Sequence, residues 1–591
     1  MTFKEKLQAI RKQMSADGID AYIIPSADPH ISEYLPDHYK CISFATGFNG
    51  SVSTVVITQK FAGLWADSRY FEQAEEQLKG SGYELVKLKA QHTPEYISWL
   101  NETLSEFSII AFDERMVSVA LGELFHHQLS YKKIQFKHKD YLQHIWKDRP
   151  SLPNAPAFLL ADEFTGHSTR DKLDLVKKAM KQHRAEYHLI SSLDDIAWLF
   201  NLRGRDVKYN PVVLSFAIIT ESAATLYIQH DKLSKEDQSN LATSGVEILS
   251  YDNIANDLQF LKAESSILID PRKNCFALYK LIPASVKIIK ETNPSTYLKS
   301  AKNDIEIEQT RIAMRKDGVA ITRFLKWVKE NVGKIKMTEL SAAAQLRSFR
   351  AAEDGFFGES FNTISAYKAH GALPHYSSTA ESDIEIQTDG LFLVDSGGQY
   401  HYGTTDITRV IPLGNNTEEE KTDYTLVLKG MIEGCKTRFP KGTCGYAIDA
   451  ITRKPLWDYA INFGHGTGHG VGYFLNVHEG PQVFNAGANP IPIELGMITS
   501  IEPGIYRPRK HGIRIENLVL TVEDEKNEFN EFYAFESLTL APIDTSIVKK
   551  ELLETSQINW LNNYHQQVFE KLSPYLNDDE NEFLKEMTKC I

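Results

Sequence analysis

Cysteine is scarce in these 591 residues. There are five, Cys41, Cys275, Cys435, Cys444 and Cys590, odd in number, widely scattered and without a Cys-x-x-Cys pair. A disulfide framework and a thiolate zinc knuckle are both excluded, and a reducing compartment is expected. Basic charge is also in deficit. Acidic side chains outnumber basic ones 78 to 65, for a formal charge of -13, and no sustained run of Lys and Arg offers the footprint that nucleic acid or an anionic membrane requires. Long apolar runs are missing as well: the longest, around Val212 to Ile219, falls well short of the roughly 20 residues that cross a bilayer. At the N-terminus Phe3, Leu7, Ile10 and Met14 recur at helical spacing among charged residues, the pattern of an amphipathic helix and not of a signal peptide. The expectation is a soluble cytoplasmic protein with neither a nucleic-acid nor a membrane partner.

What the chain does contain is an ordinary globular mixture, 42% hydrophobic and 24% charged, over a length that suggests about three or four domains. Helical and strand-like segments alternate through the first ~150 residues, an α/β pattern: the opening helix, then Ala21 to Ile24, Val52 to Thr58 and Ala62 to Trp65 as strands. A second region repeats the order with a helix from Arg170 to about His183 and strands at Tyr187 to Ile190, Ser215 to Thr220 and Thr225 to Ile228. Ile24-Pro25-Ser26-Ala27-Asp28 aligns with Ile190-Ser191-Ser192-Leu193-Asp194, and Val55 to Thr58 with Ala217 to Thr220, so an internal duplication is expected. The Pro-rich stretch from Arg149 to Pro156 reads as the linker. A new helix opens at Asn303, with Glu306 completing a capping-box pattern, and helices to about residue 352 precede a Gly- and His-rich, strand-like segment from 355 to 520. The expected domains are residues 1–152, 153–302 and 303–591.

The chemistry concentrates in the third of these. Leu391 to Val394 lead into Asp395, and Asp406 follows eleven residues later. A reversal at Tyr400 and His401 sets the two aspartates opposite each other, with Cβ atoms about 5 Å apart. Two ionised carboxylates at that distance repel unless one is protonated or a cation lies between them; the alternative is a pair of solvated loop aspartates. Glu502 and Glu516 again terminate or interrupt strand-like runs, and a reversal near Arg509 brings them together in the same way. In Gly464-His465-Gly466-Thr467-Gly468-His469-Gly470-Val471-Gly472 glycine takes every second position, which suits an extended chain closely approached by other groups. His465 and His469 then stand ~13 Å apart along the strand, so one would ligate metal while the other reaches toward substrate; the alternative is a flexible glycine loop with incidental histidines. His375 and His478 are further candidates, or satisfied structural imidazoles. Four carboxylates and one imidazole form an oxygen-rich set able to hold two divalent ions, most suitably Mn²⁺, with Co²⁺, Zn²⁺ or Fe²⁺ as alternatives. Such a pair supports hydrolysis by lowering the pKa of a water between the ions and polarising a carbonyl.

At these residues the chain resembles the metallopeptidases of the pita-bread fold, whose metal motif is Asp, Asp, His, Glu, Glu in that order; the matching positions are Asp395, Asp406, His469, Glu502 and Glu516. The likeness extends to the three-domain Xaa-Pro aminopeptidases (aminopeptidase P) through Tyr22 to Ser26, Ser32-Glu33-Tyr34, Asp67 to Phe71, Leu193 to Gly204, His465 to Pro481 and Trp560 to His565. It implies a mixed α/β and α+β architecture, with two creatinase-N-terminal-like α/β domains followed by a pita-bread catalytic domain and a C-terminal helical extension. It also implies a homodimer that uses two Mn²⁺ per chain to release the N-terminal residue from peptides with proline second, a bridging water attacking the Xaa-Pro amide. Glu502 would ligate metal and carry the proton from the water to the leaving amine, His375 and His478 would bind the peptide and its transition state, His465 would line the same pocket, and Arg69 would reach the substrate. Tyr506 and Phe357 are candidates for the wall that accepts the proline ring. A prolidase, a creatinase-like amidinohydrolase and a silent binding protein on the same scaffold are the competing readings.

Overall fold

In a computed structural model, which describes residues 1–90 and 93–591, the N-terminal periodicity becomes the helix Phe3–Asp17. Thr2 and Glu5 cap each other's backbone N–H groups, and Leu7, Ile10 and Met14 are the buried face. Each fully buried side chain of this size contributes roughly 1.5–3 kcal/mol. The helix covers a six-stranded sheet ordered Glu84–Lys87, Ala62–Ala66, Thr54–Thr58, Ala21–Pro25, Ile109–Phe112, Gln135–His138. The Ala21–Pro25 strand is buried along its whole length, as a short uninterrupted apolar run requires.

A second sheet has the same order in its own strands: Val246–Leu249, Ala224–Tyr227, Phe216–Thr220, Tyr187–Ile190, Ser266–Ile269, Lys287–Lys290. The pattern of parallel and antiparallel neighbours is also the same. Ile24 pairs with Val55 in the first sheet and Ile190 with Ala217 in the second, so residues aligned by sequence occupy equivalent positions in the two ladders. Both sheets belong to one compact unit, residues 1–161 with 167–296. They are tied by a bridge between Ser118 and Cys275 and by Lys280 on Glu114 at 2.7 Å.

The other unit comprises residues 162–166 and 297–591. Its long helix Asp304–Asn331 starts at Asn303, whose side chain accepts from the N–H groups of Ile305 and Glu306 while Glu306 returns the cap. A three-stranded sheet, Ile364–Tyr367, Gly390–Ser396 and Ile407–Leu413, and a six-stranded one containing Gly468–Gly470, Glu479–Phe484, Ile498–Ile501 and Asn517–Lys526 carry the residues of interest. The helices Glu418–Cys435 and Gly445–Trp457 bury Val427, Met431, Ile448 and Leu456 in one core with Leu391, Leu393, Ile501 and Ile513. No helix among the described residues is long and apolar enough to cross a membrane.

Candidate metal centre

Asp395 is the penultimate residue of the buried strand Gly390–Ser396, and Asp406 stands just before the strand Ile407–Leu413. Their expected direct opposition is corrected by two residues. Tyr400 pairs with Gly403 across a loop of His401 and Tyr402, and Asp395 faces Thr408. The chain turns one residue later than expected, and a shift of two preserves the face because side chains alternate with period two. The second reversal falls on Arg509, which has φ 60°. Ile501 pairs with Asn517 on one side of the acids and Gly504 with Arg514 on the other. Glu502 and Glu516 therefore sit opposite each other at the seam between two ladders.

Asp406, His469 and Glu516 offer ligand atoms that all lie within 4.8 Å of one another. His469 Nε2 is 3.5 Å from Asp406 Oδ2 and 3.4 Å from Glu502 Oε1. The other ring nitrogen, Nδ1, lies 3.0 Å from the Gly470 carbonyl oxygen. Since a carbonyl can only accept, Nδ1 carries a hydrogen, which leaves Nε2 as the nitrogen available to a metal. His478 packs edge-to-face on His469, with ring centroids 4.4 Å apart.

Four acids in so small a volume require compensation. Burial pushes Asp406, Glu502 and Glu516 well above the ordinary carboxylate range; Glu516 and Asp395 add to the effect at Asp406, Asp406 and Asp395 at Glu502, and Glu502 and Asp395 at Glu516. Arg514 works in the opposite direction. It is buried, with Nη2 2.5 Å from Asp395 Oδ2 and Nε 4.0 Å from Glu502 Oε2. Its Nη1 donates to the Tyr506 hydroxyl at 2.7 Å, and that oxygen lies 2.7 Å from His465 Nε2. His465 Nδ1 donates to the Gly466 carbonyl, so Tyr506 is the donor to Nε2 and a directed chain runs Arg514, Tyr506, His465. One cation does not neutralise four acids. The buried oxygens Asp395 Oδ1 and Glu516 Oε1 have no hydrogen-bond partner. Orphaned acid oxygens beside a correctly tautomerised imidazole suit divalent cations, and the residues present fit a metal pair.

The remaining expected site residues are placed as follows. His375 is partly buried in the turn after the short helix Lys368–Ala372, and its neighbour Tyr376 donates to Glu339 Oε2 at 2.8 Å. Arg69 belongs to the first unit, where Asp67 holds its guanidinium in a fork, Nε at 2.8 Å and Nη2 at 2.7 Å. Phe357 meets Phe474 edge-on at 5.1 Å and His401 at 5.9 Å. Tyr506, expected as an apolar wall, uses its hydroxyl as a relay. Sequence reading missed Arg514, Phe474 and Thr408, whose Oγ1 donates to Glu516 Oε2 at 2.7 Å. The available signal for Arg514 was its place between Ile513 and Ile515, two residues from Glu516 and hence on the same face of an extended strand.

Residues 308–523 match the family model for "Metallopeptidase family M24" and residues 531–591 that for "C-terminal region of peptidase_M24". Residues 6–140 and 148–306 each match a "Creatinase/Prolidase N-terminal domain". Aminopeptidase P1 of Arabidopsis thaliana is 35% identical, with 99% of each chain covered. Among solved structures, the X-prolyl aminopeptidase of Caenorhabditis elegans, described as a cytosolic enzyme with a di-nuclear active site, superposes with a TM-score of 0.95 at 34% identity and full coverage of both chains. The prolidase of Pyrococcus furiosus, 24% identical with a TM-score of 0.50 over 61% of this chain, shares the fold alone.

Proposed function

Given that the chain belongs to the Xaa-Pro aminopeptidase family of M24 metallopeptidases, we propose that it releases the N-terminal residue from peptides whose second residue is proline. The observation that carries this reading is the set of buried Asp395, Asp406 and Glu516 with partly buried His469 and Glu502, in which two acid oxygens have no protein donor. Those five residues would hold two divalent ions, Mn²⁺ being the best suited to this donor set, and the ions would supply an acidified water and a Lewis acid for the scissile carbonyl.

The protein's own groups do the rest. Glu502 takes the proton of the attacking water and passes it to the leaving nitrogen. That nitrogen is the ring nitrogen of proline. As a tertiary amide it brings no N–H, so recognition must come from ring shape and from donors aimed at the carbonyl oxygen. His478 and His375 are the proposed donors, and His465, oriented by Tyr506 and Arg514, lines the same pocket. Arg69, whose guanidinium Asp67 holds in a fork, is proposed to reach the substrate, and Phe357, packed on the buried Phe474, supplies aromatic surface. Domains at 1–152, 153–302 and 303–591, a homodimer and a cytoplasmic location complete the proposal. The cytosolic description of the Caenorhabditis elegans enzyme supports the last of these.

The test is hydrolysis of Arg-Pro-Pro compared with Gly-Pro by protein loaded with Mn²⁺, with light scattering on the same preparation. Release of arginine from the tripeptide, abolished by chelation, and a mass of two chains are expected. Cleavage confined to the dipeptide would favour a prolidase, and a one-chain mass would remove the dimer.

A further inference from the structure

Next to the candidate centre lies a second charged cluster in which no metal is implicated. Glu479 is buried, and Lys302 Nζ stands 2.5 Å from its Oε1 while Lys299 Nζ stands 3.1 Å from its Oε2. Both lysines are buried as well. They come from the segment that enters the catalytic unit, which is stitched to it by Lys302 N–H to the Gly496 carbonyl at 2.9 Å and by a bridge between Ala301 and Met497. Lys302 Nζ also donates to the Lys299 carbonyl at 2.8 Å. Desolvating three charges costs several kcal/mol per ion unless their geometry is well fixed. Burying two cations around one acid is therefore a poor way to gain stability alone.

The position of Glu479 in the chain suggests what the cluster does. It directly follows His478, and its backbone pairs with Gly470, which directly follows His469. One residue thus joins the strand of the candidate ligand to the histidine packed against it. Two glycines of the alternating motif make room for it. A Cβ on Gly470 would come 2.1 Å from the Glu479 carbonyl oxygen, and one on Gly472 would meet the Asn476 carbonyl oxygen at 2.7 Å and Leu475 at 2.9 Å, with Glu479 Oε2 at 3.2 Å.

We propose that Glu479, clamped by Lys299 and Lys302, is a positioning residue: it sets where the rings of His469 and His478 stand relative to the four carboxylates. The inference rests on the peptidase reading above. Releasing the clamp lets the start of the strand Glu479–Phe484 shift, and a displacement of about 1 Å at reacting groups is worth up to ~100-fold in rate.

The experiment uses the full chain at saturating Mn²⁺ with Glu479→Gln, Glu479→Asp and Lys302→Met. It measures bound metal by elemental analysis, thermal midpoint, and kcat and KM separately on Arg-Pro-Pro. Expected are unchanged metal content, a KM within about twofold of wild type and a kcat roughly 10- to 100-fold lower for Glu479→Gln and Lys302→Met. Glu479→Asp, which keeps the charge, should fold and fall between these and wild type. Asp544→Asn, which breaks a separate ion pair with Lys329, should lower the midpoint and leave kcat unchanged. A wild-type kcat in folded Glu479→Gln or Glu479→Asp, or an effect confined to KM, would overturn the inference. Wild-type protein that binds Mn²⁺ and leaves the tripeptide intact would instead refute the proposed activity.

Discussion

Arg514 is the single side chain on which the candidate centre most depends besides its ligands. Its fork spans Asp395 and the Tyr506 hydroxyl, and its Nε lies 3.2 Å from Thr408 Oγ1, so it orients one acid directly and another through Thr408. Removing it leaves Asp395 uncompensated among like charges. Arg514→Met is expected to cost roughly 10- to 100-fold in metal affinity or kcat/KM, the usual effect of losing a partner that orients a ligand. Arg514→Lys should not restore it, because an ammonium cannot reproduce the planar fork. Metal titration and steady-state kinetics check this, and an unperturbed Arg514→Met protein would refute the role. Asp395, Glu502 and Glu516 stood out in the sequence because each ends or interrupts an apolar run, Asp406 because a hairpin sets it near Asp395, and His469 because it lies in the alternating-glycine segment. Arg514 was not, since one arginine on a strand looks like any other until the acids it faces are known.

At the scale of elements, the hairpins were legible as hairpins and their registers only in part. The Glu502 and Glu516 reversal falls at Arg509 as expected, whereas the Asp395 and Asp406 hairpin is displaced because its loop is His401 and Tyr402. The helix Thr555–Leu572 shows what sequence alone could not assign. It delivers Tyr564 to Arg409, which also donates to the Glu516 carbonyl at 2.6 Å, and it places His565 Nε2 as the acceptor for the Ile543 N–H at 3.2 Å. Burial, aided by the Arg409 guanidinium, pushes His565 down to about 4. Its folded pKa thus lies below the unfolded value of about 6.5. Stability from this group is complete above about pH 6.5 and is lost as pH falls toward 4, at up to about 1.4 kcal/mol per pH unit. His565→Gln should flatten the decline of the thermal midpoint over that window. A slope identical to wild type would show that His565 is not its source.

For the whole molecule, the acid cluster predicts that metal and fold are linked. With Asp406, Glu502 and Glu516 all raised in proton affinity by burial and by neighbouring acids, the metal-free protein carries a local repulsion that bound cations remove. An ion at a thousand times its Kd stabilises the folded state by about 4.1 kcal/mol. Chelation is expected to lower the thermal midpoint, Mn²⁺ to restore it in a concentration-dependent way, and Asp406→Ala to abolish the response. No shift with Mn²⁺, Co²⁺, Zn²⁺ or Fe²⁺ would contradict a resident metal pair.

Period, capping and composition are short-range properties, so helices such as Phe3–Asp17 and Asp304–Asn331 and the repeated succession of helices and strands could be read along the chain before any packing was known. The convergence of residues spread from Asp395 to Glu516, and the choice of Arg514, Lys299 and Lys302 as their counter-charges or supports, depended on folding. Attraction between charges falls off with distance in space and takes no account of distance along the chain, so those partners existed only once the sheets had brought them within a few ångströms.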